Sequence, residues 1–169
     1  MTPEEAILGL ITAVAGGVPV IFADENGPRP QKPYIQLRVQ TAHRFPLHRG
    51  AVDDAGQQLV TGHRDAAVEL QCFGRGSYDA LDSLAQRLGM EAALADAERL
   101  DLAVFDVGKI SQMPVLRDQA SYEPRALLEL GIRYAVTLTD AVGAVEQVVF
   151  HGTVIGGATG PVPVEVATP

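Results

Sequence analysis

The chain has 169 residues, a length that suits one domain with an arm or tail to spare. Its net charge of −8 and pI of about 4.9 argue against a DNA-binding module and leave room only for a local basic patch. With no Trp and 5 % aromatic residues it has no base-stacking platform. Its single cysteine, Cys72, rules out an internal disulfide, and no apolar run approaches the ~18 residues of a membrane span. The acidic start Met1-Thr2-Pro3-Glu4-Glu5 is unlike a secretion signal, so synthesis and retention in a cytoplasm are expected.

Residues 2–14 read as a helix: Thr2 is the N-cap, Pro3 takes the first helical position and Glu5 completes a capping box. Ile7, Leu8, Leu10, Ile11 and Val14 form its apolar stripe, and Gly16-Gly17 ends it. Residues 18–22 are a short strand that Pro19 assigns to a sheet edge. A turn-rich connection over 24–33 leads to the alternating strand 34–40. Residues 41–64 hold three of the four histidines. They are expected to form a projecting hairpin or loop, with a turn at Asp53-Asp54-Ala55-Gly56 and a returning strand over 57–61.

Residues 66–73 are a further strand, with Val68, Leu70 and Cys72 on one face. After Gly74-Arg75-Gly76, Ser77 is placed as the cap of a helix striped by Leu81, Leu84, Ala85 and Leu88. Residues 90–99 are read as a second short helix, 102–107 as a strand and 111–121 as a loop around Pro114. The longest strand spans 125–139, with Leu128, Leu130, Ile132, Tyr134, Val136 and Leu138 on one face. Residues 140–144 turn the chain and 145–151 are read as one more strand. Residues 152–169 bury little, and are a flexible tail or an arm that orders on a partner. The whole describes an α+β layer over 1–151: an antiparallel or mixed sheet with helices on one face.

Chemistry-bearing clusters are sparse. His43 and His48, with Asp53 and Asp54 nearby, have the residue types of a metal site, and Asp53, Asp54 and Asp65 those of paired acid–base carboxylates, but they read better as solvated loop side chains. Cys72 points to the apolar side of its strand and reads as buried and inert. Gly74-Arg75-Gly76-Ser77 lacks the lysine and spacing of a phosphate-binding loop. Arg38, Arg125 and Arg133 fall opposite the apolar face, where they meet solvent or the acids of a neighbouring subunit. No metal and no cofactor is expected.

Several segments together carry a likeness. Arg29-Pro30-x-x-Pro33-Tyr34 leads into a strand. Asp54-x-Gly56 and Gly62-His63-Arg64 lead into Val68-Glu69-Leu70-Gln71-Cys72-Phe73-Gly74. Tyr122-Glu123-x-Arg125 precedes the long strand, and Asp140-x-x-Gly143-x-Val145-Glu146 follows it. This order resembles the phage neck-terminator, or tail-completion, proteins over roughly residues 18–150.

The resemblance implies a structural virion protein of the tail and neck, assembled in the host cytoplasm, with no catalytic residues. Such a terminator forms a homo-oligomeric ring, usually a hexamer, on the tail tube protein and presents a surface to the head–tail connector or stopper. A sheath protein is a further partner if the tail is contractile. DNA passes through the channel without specific binding, and no membrane is involved. Candidate subunit-interface residues are Arg38, His48, Asp53, Asp54, Arg64, Arg125 and Arg133. A connector stopper, or a small cytoplasmic enzyme using His43, His48, Asp53 and Asp54, are the alternatives.

Overall fold

The computed structural model describes residues 1–118, 121–143, 149–150 and 164–165. It is α+β. In chain order the elements are α1 (Pro3–Val14), β1 (Val20–Phe22), β2 (Tyr34–Arg44), β3 (His48–Val52), β4 (Gln57–Phe73), α2 (Ser77–Leu88), α3 (Glu91–Arg99), β5 (Leu102–Val107), β6 (Ser111–Gln112), β7 (Val115–Asp118), β8 (Ser121–Glu123), β9 (Arg125–Ala141), β10 (Val149–Phe150) and β11 (Val164–Glu165). The chain divides into a larger unit, residues 1–48 and 61–137, and a smaller one, residues 49–60 and 138–169.

The main sheet has the order β1-β2-β4-β9-β5, with β3 pairing β4 and β6 pairing β9. It is mixed: β1 runs parallel to β2, whereas β2 with β4 and β5 with β9 are antiparallel. Pro19 precedes the edge strand β1, as expected of a residue that cannot donate to a ladder, and its carbonyl accepts from Ile35 N at 2.8 Å. Strand alternation sends Ile35, Leu37, Val68, Leu70, Cys72, Leu128, Leu130, Ile132 and Leu102 into one apolar core with α1, α2 and α3. The helices therefore cover one face, and the other carries the polar residues.

Helix α1 begins as its sequence dictates. Glu5 N donates to Thr2 Oγ1 at 3.2 Å, and Thr2 N donates to Glu5 Oε2 at 2.7 Å, so two orphan amides are satisfied. Ile7, Leu10 and Ile11 are fully buried, each contributing about 1.5–3 kcal/mol by leaving water. At the far end Gly16 has φ 66°, the left-handed conformation that closes helices. A Cβ there would fall on the guanidinium of Arg87, whose Nη1 donates to Val14 O at 3.3 Å.

Four features depart from the sequence expectation. Strand β4 runs unbroken through Gly62 and matches β9 at 17 residues, so the segment 125–139 is not uniquely the longest. Gly62 is tolerated because Leu47 lies over it, with its Cδ2 at 3.0 Å from where a Cβ would be. Ser77 is buried as the first helical residue of α2, not its cap. That position falls to Gly76 at φ 75°, a conformation glycine adopts without steric cost. Residues 111–121 are not a plain loop, because β6 pairs β9 and β7 pairs β8. These ladders are too short, and mostly too exposed, to leave an alternating pattern. Leu138 is exposed, since the buried stripe of β9 stops at Tyr134 and the half-buried Val136.

In the smaller unit, Asp53 N donates to Gln57 O at 2.8 Å and Gly56, at φ 72°, closes the turn between β3 and β4. Arg49 bonds Gln58 and Asp140 at 3.2 and 3.3 Å. Val142 N and Gly143 N both donate to Gly56 O. Strands β10 and β11 pair antiparallel. Of the strand expected over 145–151, only 149–150 falls among the described residues. The expected tail, 152–169, lies outside them apart from β11.

Candidate subunit interface

The face of the main sheet opposite the helices carries charged groups and aromatic rings, exposed at Arg133 and Phe105 and buried at Tyr34 and Phe73. Arg133 of β9 reaches Asp65 of β4 through two hydrogen bonds, 2.7 Å from Nε to Oδ1 and 3.0 Å from Nη2 to Oδ2. Its guanidinium also lies over the rings of Phe45 at 4.7 Å and Phe105 at 5.4 Å. Thr61 bonds Thr137 at 2.9 Å. From that pair to Asp65–Arg133 one index rises by four as the other falls by four, so β4 and β9 run antiparallel. The hydrogen bonds from Arg133 hold the Asp65 carboxyl below the usual carboxylate range, against the opposing effect of its partial burial.

Arg38 binds Asp24 in fork geometry, Nε to Oδ2 at 3.2 Å and Nη2 to Oδ1 at 3.1 Å. This ties β2 to the connection after β1, and the hydrogen bond to Asp24 raises the Arg38 pKa further. At the other end of the strand, Tyr34 and Phe73 face each other in register and stack with ring centres 4.9 Å apart. Arg125 covers Phe73 at 4.6 Å and donates to Glu123 Oε2 at 3.2 Å. Glu123 also accepts from Lys32, and that bond, with the one from Arg125, lowers its pKa against the effect of burial.

Of the seven interface candidates, Arg38, His48, Arg64, Arg125 and Arg133 belong to the larger unit and Asp53 and Asp54 to the smaller. Arg38, Arg125 and Arg133 do sit on the face opposite the helices, each gripping an acid of its own chain. Arg64 stands opposite Arg44 in the β2–β4 register. His48 is exposed at the start of β3, and Asp54 is exposed in the turn that follows that strand. Asp53 is committed to that turn: its Oδ1 accepts from Ala55 N at 3.0 Å and Gln57 N at 2.8 Å.

Of the residues of the alternative catalytic reading, Asp53 is committed to its turn and His43 to an aromatic contact, while His48 and Asp54 are exposed. His43 packs edge-on to Phe45, ring centres 4.6 Å apart. Among the described residues no group of three or more His, Cys, Asp and Glu side chains is placed to hold a metal ion. Cys72 is buried, and desolvation pushes its thiol up to about 11. Among the same residues no helix is long and apolar enough to cross a membrane.

Sequence reasoning missed the pairs Arg38–Asp24, Arg133–Asp65 and Lys32–Glu123, whose separations of 14, 68 and 91 residues give no local signal, and also Arg125–Glu123, which at two residues apart was near enough to be read. It also missed Phe45 and Phe105, which are spaced like ordinary loop and edge-strand residues.

A search of curated proteins finds no match. The family model described as phage neck terminator protein matches residues 5–158, which takes in the helical layer and the main sheet. This chain belongs to the phage neck terminator family, a family of structural virion proteins of the bacteriophage neck.

Proposed function

We propose that this chain is the terminator that closes the head-proximal end of the tail tube as a ring, halting tube growth and offering the joining surface for the head connector or stopper. Family membership over most of the chain carries the reading. The one-sided sheet supports it. One face is sealed by helices, and the other presents charged and aromatic side chains on a stiff scaffold suited to repeated contact between copies. The role is structural, and no cofactor takes part.

The net charge of −8 fits a channel through which DNA slides. A ring multiplies that charge by its copy number, six in the expected arrangement. Acidic walls repel phosphate within ~8–10 Å at physiological salt. Arg38, His48, Asp53, Asp54, Arg64, Arg125 and Arg133 are proposed to lie at or near contacts with other copies, the tube protein, the connector and, in a contractile tail, the sheath. The test is tail length in phage lacking this chain. The expected result is tubes of uncontrolled length without heads. Tubes of normal length joined to heads would overturn the reading.

A further inference from the structure

Charge is unevenly distributed over the larger unit. Two adjoining depressions share Lys32 and Glu123, where β2 begins and β4 ends. Their charged lining is Arg29, Lys32, Arg75 and Arg125 against the single carboxylate Glu123. A separate groove between the start of α1 and the end of β1 reverses these signs, with Glu4, Glu5, Asp24 and Glu25 against the single cation Arg38. Both belong to the same compact unit and share no lining residue.

The short β7–β8 ladder borders the basic depressions. A two-stranded ladder is marginal by itself in water. This one is tied to the start of β2 and of β9 through the Glu123 pairs with Lys32 and Arg125. It displays a cross-strand pair of exposed apolar residues, Leu116 at 53 % and Tyr122 at 68 % exposure. The acidic groove offers the matching chemistry, with half-buried Phe22 and Val39 between its carboxylates.

We propose that the basic end of the sheet, Lys32, Arg75 and Arg125 beside Leu116 and Tyr122, docks on the Glu4–Asp24–Glu25 groove of a second copy of this chain. The two surfaces are fixed parts of one unit, so each is filled by another molecule. Copies carrying −8 repel one another at large. Attraction therefore has to be concentrated where opposite signs meet, and this also fixes the orientation of the contact. A surface that meets a different surface of its neighbour is the head-to-tail contact from which closed rings are built. The inference rests on the ring reading above and assigns its faces.

The test is charge exchange in the full-length protein, with self-association followed by sedimentation velocity alone and with tail tube protein. Arg75→Glu and Glu25→Arg are each expected to weaken association by roughly tenfold, and the two together to restore it. Tyr122→Ser, a change at an exposed side chain, is expected to weaken it without altering net charge. Circular dichroism identifies any variant that fails to fold, in which case Tyr122→Ser and the remaining exchange decide. If the wild type assembles and all variants assemble equally, these faces are wrong and the ring reading stands. If the wild type stays monomeric even with tube protein, the ring reading falls and takes this contact with it.

Discussion

Arg133 and Asp65, 68 residues apart in the chain, meet across β9 and β4 through two hydrogen bonds of 2.7 and 3.0 Å. Asp65 keeps its proton less readily folded than unfolded. A carboxyl whose folded pKa is lowered contributes stability above its ordinary value of 3.8, and that contribution is lost as pH falls through the lowered folded value. Asp65→Asn is therefore expected to lower the melting temperature at pH 7 and to leave it near the wild type once pH falls below the lowered folded value. A difference independent of pH would contradict the ion pair.

Glu123 follows the same sign, since bonds from Lys32 and Arg125 lower its pKa from 4.5. Its stabilising effect is present above about that value and disappears on acidification. Because it fastens the β7–β8 ladder, the effect is local. Glu123→Gln is expected to speed amide exchange in residues 115–118 and 121–123 at neutral pH more than in α1. Uniform acceleration over the chain would show that the ladder has no separate anchor.

Gly108, just past the end of β5, and Gly131, within β9, make a contrast in how the backbone tolerates a methyl group. A Cβ at Gly108 would lie 2.7 Å from the Glu129 carbonyl oxygen, which belongs to the ladder itself. At Gly131 it would meet Phe105 ring carbons at 2.6 Å, and that ring is exposed enough to swing aside. Gly108→Ala is expected to cost about 1–3 kcal/mol in urea denaturation, in the range of other overpacking changes, and Gly131→Ala clearly less. The reverse ranking would contradict the placement of Phe105.

Burial should make Cys72 inert. Its thiol, raised by burial to about 11, is expected to react with a disulfide reagent at pH 8 only as fast as the protein unfolds. Immediate stoichiometric labelling of the native protein would show that the core between the sheet and its helices is open.

The N-terminal helix allows a graded comparison. Thr2→Ala removes one arm of the capping box and is expected to cost about 1 kcal/mol. Leu10→Ala opens a cavity at a fully buried position and is expected to cost about 2–5 kcal/mol. Equal effects in denaturant titration would mean that α1 is held by its own cap and not by the sheet beneath it.

These elements differ in how readable they were. Helix α1 declares itself because capping and apolar spacing are local. The inward faces of β2, β4 and β9 follow from alternation, which placed Arg38, Arg125 and Arg133 on the opposite side correctly. Strand β4 was cut short because Gly62 resembles punctuation, and only the overlying Leu47 explains its tolerance. The ladders of 111–123 depend on pairing across proline-interrupted segments. The site is legible as residue types but not as partners, since the pairs Arg133–Asp65 and Lys32–Glu123 form only when segments 68 and 91 residues apart come together.

A symmetry-resolved reconstruction of the phage particle is the most direct measurement of the assignment as a terminator. The expected result is a closed ring of this chain between the last tube ring and the head connector, with the sheet faces opposite the helices and the acidic grooves engaged by neighbouring subunits. Density for this chain along the tube, at the distal tip or inside the head would contradict it.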